Sequence, residues 1–354
     1  MAQKRNGEID ILRFVFALIV AIHHFGFEYT AHQVIVRGYI GVEFFFLVTG
    51  YLMAKKASKN PAPCSNAQIA DNTWKFIISK VSSFYPYFLF GFLLTVVSKL
   101  FIFKWPITKC ISHLIRSIPN LTHTLVGVVA KSDLYISGQW FLSAMILAIF
   151  ILYPILLKDY NLATKIIFPC ISIFLMGYLY NAYSQIIITY TEFTFLSLGL
   201  IRAIIEIAIG ASLFELTPLV QRLNIHPLLL TILKWGGYSV VFIYALGYTG
   251  RSYDIHVMLW CAVGVLLSFS NVGYTIKDTK LTRYLGKISL PIYIYHTIVL
   301  RSCLQIYGTE ISKSAFLIMY FSAIVLSVIF MIITDFIMKQ CRNRGFTLLK
   351  KSCE

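Results

Sequence analysis

The chain has 354 residues, of which 58% are hydrophobic and 13% charged, with a formal net charge of +16. Too few polar residues remain to cover a water-soluble globule, so lipid must be the solvent. The basic residues stand in short clusters between long apolar runs and form no contiguous stripe, which argues against a nucleic-acid partner.

About 20 apolar residues suffice to cross the hydrocarbon core of a bilayer. Such stretches occur at Ile9–Tyr29, Gly38–Ala54, Ser83–Phe103, Gly138–Leu157 and Ala163–Tyr180. Five more follow at Thr194–Leu216, Leu228–Tyr248, Tyr253–Asn271, Ser289–Tyr307 and Ala315–Met338. The expected fold is therefore an all-α integral membrane protein, about ten transmembrane helices in a single bundle over residues 1–354, with no separate soluble domain. Lys4 and Arg5 before the first stretch imitate a signal peptide, but Arg13, His23 and His24 interrupt it and no small-residue cleavage site follows, so it stays as a helix.

Lys55, Lys56, Lys59, Lys75 and Lys80 gather around the second loop. Lys277, Lys280, Arg283 and Lys287 fill a late loop, and Lys339, Arg342, Arg344, Lys350 and Lys351 form the tail. A ten-helix count puts all of them on one side, which the positive-inside rule makes the cytoplasm, with both termini there. The segment from Lys104 to Asp133 opposes this assignment, because it carries Lys104, Lys109, Arg116 and Lys131 on the outer side. Its stretch Ile111–Ala130 is expected to lie on the outer surface as an interfacial helix, unless one span is miscounted. Seven scattered cysteines without a CxxC pair indicate neither a disulfide framework nor a metal site.

An ionisable group inside a spanning helix is costly unless it meets a partner or a cavity. Arg13, His23, His24, Glu43, Arg202, Glu206, Lys234 and His296 are such groups. Arg13 and His24 are eleven positions apart, so they share one helix face, about 16 Å apart along the axis. A guanidinium near one mouth and an imidazole deep in the membrane suit anion binding and general-base chemistry. The plainer reading is a snorkelling arginine and an interhelical hydrogen bond. Arg202 and Glu206, four apart, can pair on their helix for structural reasons alone. His296 falls near mid-membrane, as a second site group or a hydrogen-bonding residue, and Lys234 has no role legible in the sequence. No phosphate loop, dinucleotide fingerprint, HExxH or GxSxG motif is present.

Several segments together resemble one family. Glu8 to Arg13 leading to His24 is similar to its arginine–histidine signature on helix one, and Gly41 to Tyr51 to its second-helix pattern, with Glu43 and Thr49 in place of aspartate and serine. Lys80 to Pro86 resembles a basic segment ending in tyrosine–proline at the start of helix three, where arginines are usual. Gln139 to Ser143, then Arg202 with Glu206 and Gly210, and finally Leu285 to Ser289 with Tyr293 and His296 resemble three further motifs in the right order. The family is the membrane-bound acyltransferase-3 family, whose members O-acylate cell-surface glycans.

The resemblance implies an O-acyltransferase of the bacterial cytoplasmic (inner) membrane. It would carry an acyl group, usually acetyl, from cytoplasmic acetyl-CoA or another acyl-CoA to a carbohydrate or lipid-linked glycan. On that footing Arg13 and Lys80, with Tyr85 and Thr49, would hold the donor, and His24 would act as general base or as acyl carrier. Glu43 would orient the imidazole, and Trp140, Ser143, Arg202, Glu206 and His296 would shape the substrate cavity. The rival reading is a transporter or flippase for a lipid-linked saccharide, in which the same charges line a pathway.

Overall fold

The computed structural model describes residues 5–28, 35, 37–59, 65–117, 138–183, 192–193, 196–247 and 253–351; side chains at 27–28, 192–193, 196–197 and 344–351 lie outside that description. Helix α1 (Gly7–Glu28) is followed by a 3-10 turn at Gly38–Ile40 that leads into α2 (Gly41–Ala57). Then come α3 (Asn66–Phe101), α4 (Ile107–Arg116), α5 (Gln139–Lys158) and α6 (Tyr160–Tyr183), the last with a π-helical turn at Ala163–Ile167. After a small hairpin, Glu192–Phe193 paired antiparallel with Leu196–Ser197, the chain continues as α7 (Leu198–Arg222), α8 (Pro227–Leu246) and α9 (Asp254–Ser270). It ends with α10 (Lys280–Tyr307) and α11 (Lys313–Lys351).

Each of the ten predicted stretches overlaps a helix among the described residues. Seven of these helices, α1, α3, α5, α6, α7, α8 and α11, are long and apolar enough to cross a membrane by length and composition. Helix α9 is apolar but shorter, at 17 residues. Exposed apolar side chains such as Leu93, Phe174, Ile243, Phe321 and Phe336 clothe the outside of the bundle, where a water-soluble protein would be polar.

Polar clasps tie helix ends together and show their directions. At one end, called here the basic end, Lys234 of α8 donates to Glu8 of α1 at 2.9 Å, and Ser268 of α9 donates to the other Glu8 oxygen at 2.5 Å. Gln221 of α7 donates to the Ser270 carbonyl at 3.0 Å, and Lys287 of α10 pairs with Asp335 of α11 at 2.5 Å. At the opposite end the Arg37 amide donates to the Ala245 carbonyl, Tyr244 donates to Asp254, and Ser98 of α3 meets Ser302 of α10 at 2.9 Å. Successive spanning helices therefore run antiparallel.

Three local features depart from the sequence expectation. Helix α3 begins 17 residues before the predicted span, at a Ser65–Gln68 capping box. Its 36 residues make about 54 Å, far more than the roughly 30 Å hydrocarbon thickness, so its first turns extend beyond the lipid core. Helix α7 starts at Leu198 instead of Thr194, because the β-branched and aromatic residues before it favour the extended hairpin. The expected interfacial stretch begins earlier, as a helix over Ile107–Arg116 that exposes Ile107, Ile111, Leu114 and Ile115 on one side. Lys99 and Lys109 lie over the Trp105 ring beside it. The remainder of Ile111–Ala130 beyond Ser117 lies outside the described residues, as do Lys131 and Asp133.

Candidate active site

Helices α1 and α10 approach closely because α1 presents small side chains, Ala17 and Ala21, to Ile288, Ile292 and Val299 of α10. That approach joins the two histidines. His24 Nδ1 lies 2.8 Å from His296 Nε2, with ring centroids 5.0 Å apart. His296 Nδ1 lies 2.8 Å from the Ile292 carbonyl.

These contacts fix the tautomers, since a carbonyl oxygen only accepts. His296 must donate from Nδ1, so in the neutral ring its Nε2 carries the lone pair. His24 must then donate from Nδ1, which leaves the lone pair on His24 Nε2. That nitrogen has no hydrogen-bond partner among the described residues, and His24 is only half-buried while His296 is fully buried. A neutral imidazole, held in one orientation with its distal nitrogen unprotonated, is the form required of a general base or a nucleophile. His23 is held separately, donating from Nδ1 to the Ile35 carbonyl at 3.1 Å.

Arg13 sits on the same helix at the basic end. Asp10 is clasped by Arg5 through two 3.0 Å hydrogen bonds and meets Arg13 only at 3.8 Å, so most of the Arg13 donor fork has no partner among the described residues. Lys80 of α3 lies within electrostatic range of Arg13 and over the Phe76 ring, its ammonium 5.3 Å from the centroid. Tyr85, half-buried, packs against Phe88.

The other buried charges form a separate group between α2 and α7. Arg202 donates to Glu43 and, at 3.1 Å, to Glu206, and all three are buried. The helices meet backbone to backbone here, since a Cβ on Gly50 would strike the Ile207 carbonyl and one on Gly210 the Leu47 carbonyl. Glu43, expected to orient His24, is thus engaged by Arg202; the residue bonded to the His24 imidazole is His296. The reason is reach: Glu43 faces α7, whereas His24 faces α10. The Trp140 ring lies 5.6 Å from the Arg202 guanidinium carbon. Thr49, in the middle of α2, turns back on its own helix and donates to the Phe45 carbonyl at 2.8 Å, and Ser143 is buried with its hydroxyl unpartnered among the described residues.

An aromatic wall connects the two groups. Tyr293 lies 6.3 Å from His296, 6.1 Å from Phe45 and 5.5 Å from Phe141, and Phe141 is 6.4 Å from Trp140. Phe45 and Phe141 were missed by sequence reasoning, since an apolar ring in an apolar helix gives no signal. Lys234, without a legible role, proves to be the clasp on Glu8, and the acidic first turn of α1 was the available clue. Among the described residues no group of three His, Cys, Asp or Glu side chains is arranged to hold a metal.

Neither the curated proteins nor the solved structures contain a match. The family model described as an acyltransferase domain, of the acyltransferase-3 type, matches residues 6–335.

Proposed function

This chain belongs to the acyltransferase-3 family, and on that premise we propose that it O-acetylates a cell-surface or lipid-linked glycan with acetyl-CoA from the cytoplasm, using His24 as its base. The observation that carries the reading is the His24–His296 hydrogen bond, because it leaves His24 Nε2 unprotonated and aimed by a fixed partner. The basic end of the bundle, with its lysine clusters, is the cytoplasmic face of a bacterial inner membrane on this reading.

The acceptor hydroxyl gives its proton to His24 Nε2 while its oxygen attacks the thioester carbonyl carbon. The resulting imidazolium still donates from Nδ1 to His296. As the tetrahedral intermediate collapses the carbon–sulfur bond breaks, and the proton passes from His24 to the departing thiolate. Arg13, with Lys80, holds donor phosphates at the basic end, where a guanidinium fork matches them in geometry and charge. The separation of about 16 Å along α1 leaves room for a long, flexible donor arm to bring its thioester to the imidazole. Trp140, Phe141 and Tyr293, all buried, back the site on the side of the Arg202 group.

The test is transfer of labelled acetyl from acetyl-CoA to a glycan by the purified protein. His24→Ala is expected to abolish it at normal protein yield. Full transfer by that variant would refute the mechanism, and uptake of glycan without transfer of label would establish a transporter instead.

A further inference from the structure

A groove beside Lys80 carries more positive charge than the topology of the chain requires. It encloses 610 Å³ between the end of α2 and the early turns of α3, and Lys55, Lys56, Lys59, Lys75 and Lys80 all line it. That volume falls within the roughly 300–1,000 Å³ of small-molecule sites. Phe76 and Tyr153, stacked with centroids 4.3 Å apart, form part of its lining.

Most of the charge in the groove is uncompensated among the described residues. Asp71 pairs with Lys75 at 2.6 Å, and among the described residues no carboxylate pairs with the other four lysines. Four ammonium groups on one concave wall repel each other unless an anion joins them. Positive-inside topology requires lysines near the membrane but not their convergence on a cavity. Two of them, Lys55 and Lys56, also favour the negative end of the α2 dipole, which accounts for their being on that helix but not for the three beside them. Lys80 is among the residues that line the groove, and it is within electrostatic range of Arg13. A ligand with a strongly anionic head in the groove could extend an arm past Arg13 toward His24.

We propose that this lysine-lined groove binds the phosphorylated nucleotide end of the acyl donor, its ribose phosphate lying among Lys55, Lys56, Lys59 and Lys75 and its pyrophosphate between Lys80 and Arg13. The inference rests on an acyl-CoA donor. It also explains how the Lys80–Pro86 segment manages with a single lysine where the family resemblance leads one to expect arginines: the missing charge comes from the end of α2 and from Lys75. A phosphomonoester alone carries about −1.5 to −2 near neutral pH, so a ligand with a pyrophosphate as well matches the wall better than a lipid headgroup with one phosphate.

The test uses the full chain in phosphatidylcholine nanodiscs, with and without phosphatidylglycerol. Wild type is compared with Lys55→Gln/Lys56→Gln/Lys59→Gln and with the corresponding triple arginine variant. Adenosine 3′,5′-bisphosphate binding is measured by calorimetry and donor KM by labelled transfer. The glutamine variant is expected to bind the bisphosphate about tenfold more weakly or worse, since each lost charge-assisted bond is worth roughly a factor of ten. Its donor KM should rise by a similar factor with acceptor KM unchanged, and the arginine variant should retain binding. Equal bisphosphate binding by all three proteins overturns the proposal, as does an effect that appears only with phosphatidylglycerol, which would make the groove a lipid-headgroup site. Failure of wild type to transfer acetyl from acetyl-CoA would instead refute the donor reading, while bisphosphate binding still reports on the groove.

Discussion

His296 allows the orientation of the base to be tested apart from its presence. In His296→Ala the His24 Nδ1–H loses the acceptor that stands 2.8 Å away, so the ring can turn or move its proton to Nε2, where it no longer acts as a base. A lost buried hydrogen bond costs about 1–3 kcal/mol. If that loss falls on the transition state, it lowers kcat by roughly 5- to 150-fold. Acetyl transfer from acetyl-CoA should show this drop with both KM values unchanged, because His296 is buried behind His24. His296→Gln retains an acceptor oxygen near the position of Nε2 and should recover much of the rate. The double variant His24→Ala/His296→Ala should be no slower than His24→Ala, since two residues acting as one unit do not add. Undiminished kcat in His296→Ala, or a double variant slowed by the product of the two single effects, would refute the orientation argument.

Arg13→Lys should raise donor KM although the charge remains, because the ammonium lacks the planar fork; donor-concentration curves read this directly. Glu43→Ala leaves Arg202 with only Glu206 in a buried site, and breaking one side of such a group costs about 3–5 kcal/mol. A lower unfolding temperature and reduced membrane yield are expected, with Glu43→Gln milder. Gly210→Val would force α7 away from the Leu47 carbonyl and should abolish folded protein, as size-exclusion profiles in detergent would show.

What the sequence made legible was local. Arg13 and His24 share a helix, so 3.6-residue periodicity alone sets their relation, and the Arg202–Glu206 pair follows from its i, i+4 spacing in the same way. Contacts between distant segments carried no such signal. His24 and His296 are 272 positions apart, and Glu43 and Arg202 are 159 apart. Nothing in composition says which helix faces which, so Glu43 was given to the wrong partner. The length of α3 was hidden for another reason. Hydropathy reports the lipid-embedded part of a helix, and the polar turns from Asn66 to Ser82 look like loop on that scale although their backbone continues the same ladder.

On the proposed mechanism, the separation of the charged groups bears on why a histidine, and not a carboxylate, would orient the base. An aspartate or glutamate bonded to His24 would place a full negative charge beside a neutral ring deep in the bundle, and that charge would need its own counter-ion. Glu43 and Glu206 show what this entails, since both require Arg202 and each still has one oxygen unpartnered among the described residues. His296 fixes the His24 tautomer without adding a charge, its own proton being taken by the Ile292 carbonyl of the same helix turn. The imidazolium formed in the reaction is then stabilised less than it would be by a carboxylate, which favours rapid return of the proton to the leaving thiolate. Replacing His296 by glutamate therefore makes opposite demands on the two steps. Proton abstraction should become easier and proton return harder, so a solvent-isotope effect that moves from the first step to the second in His296→Glu would identify His24 as a shuttle of protons; an acyl group trapped on His24 in the absence of acceptor would identify it as a carrier instead.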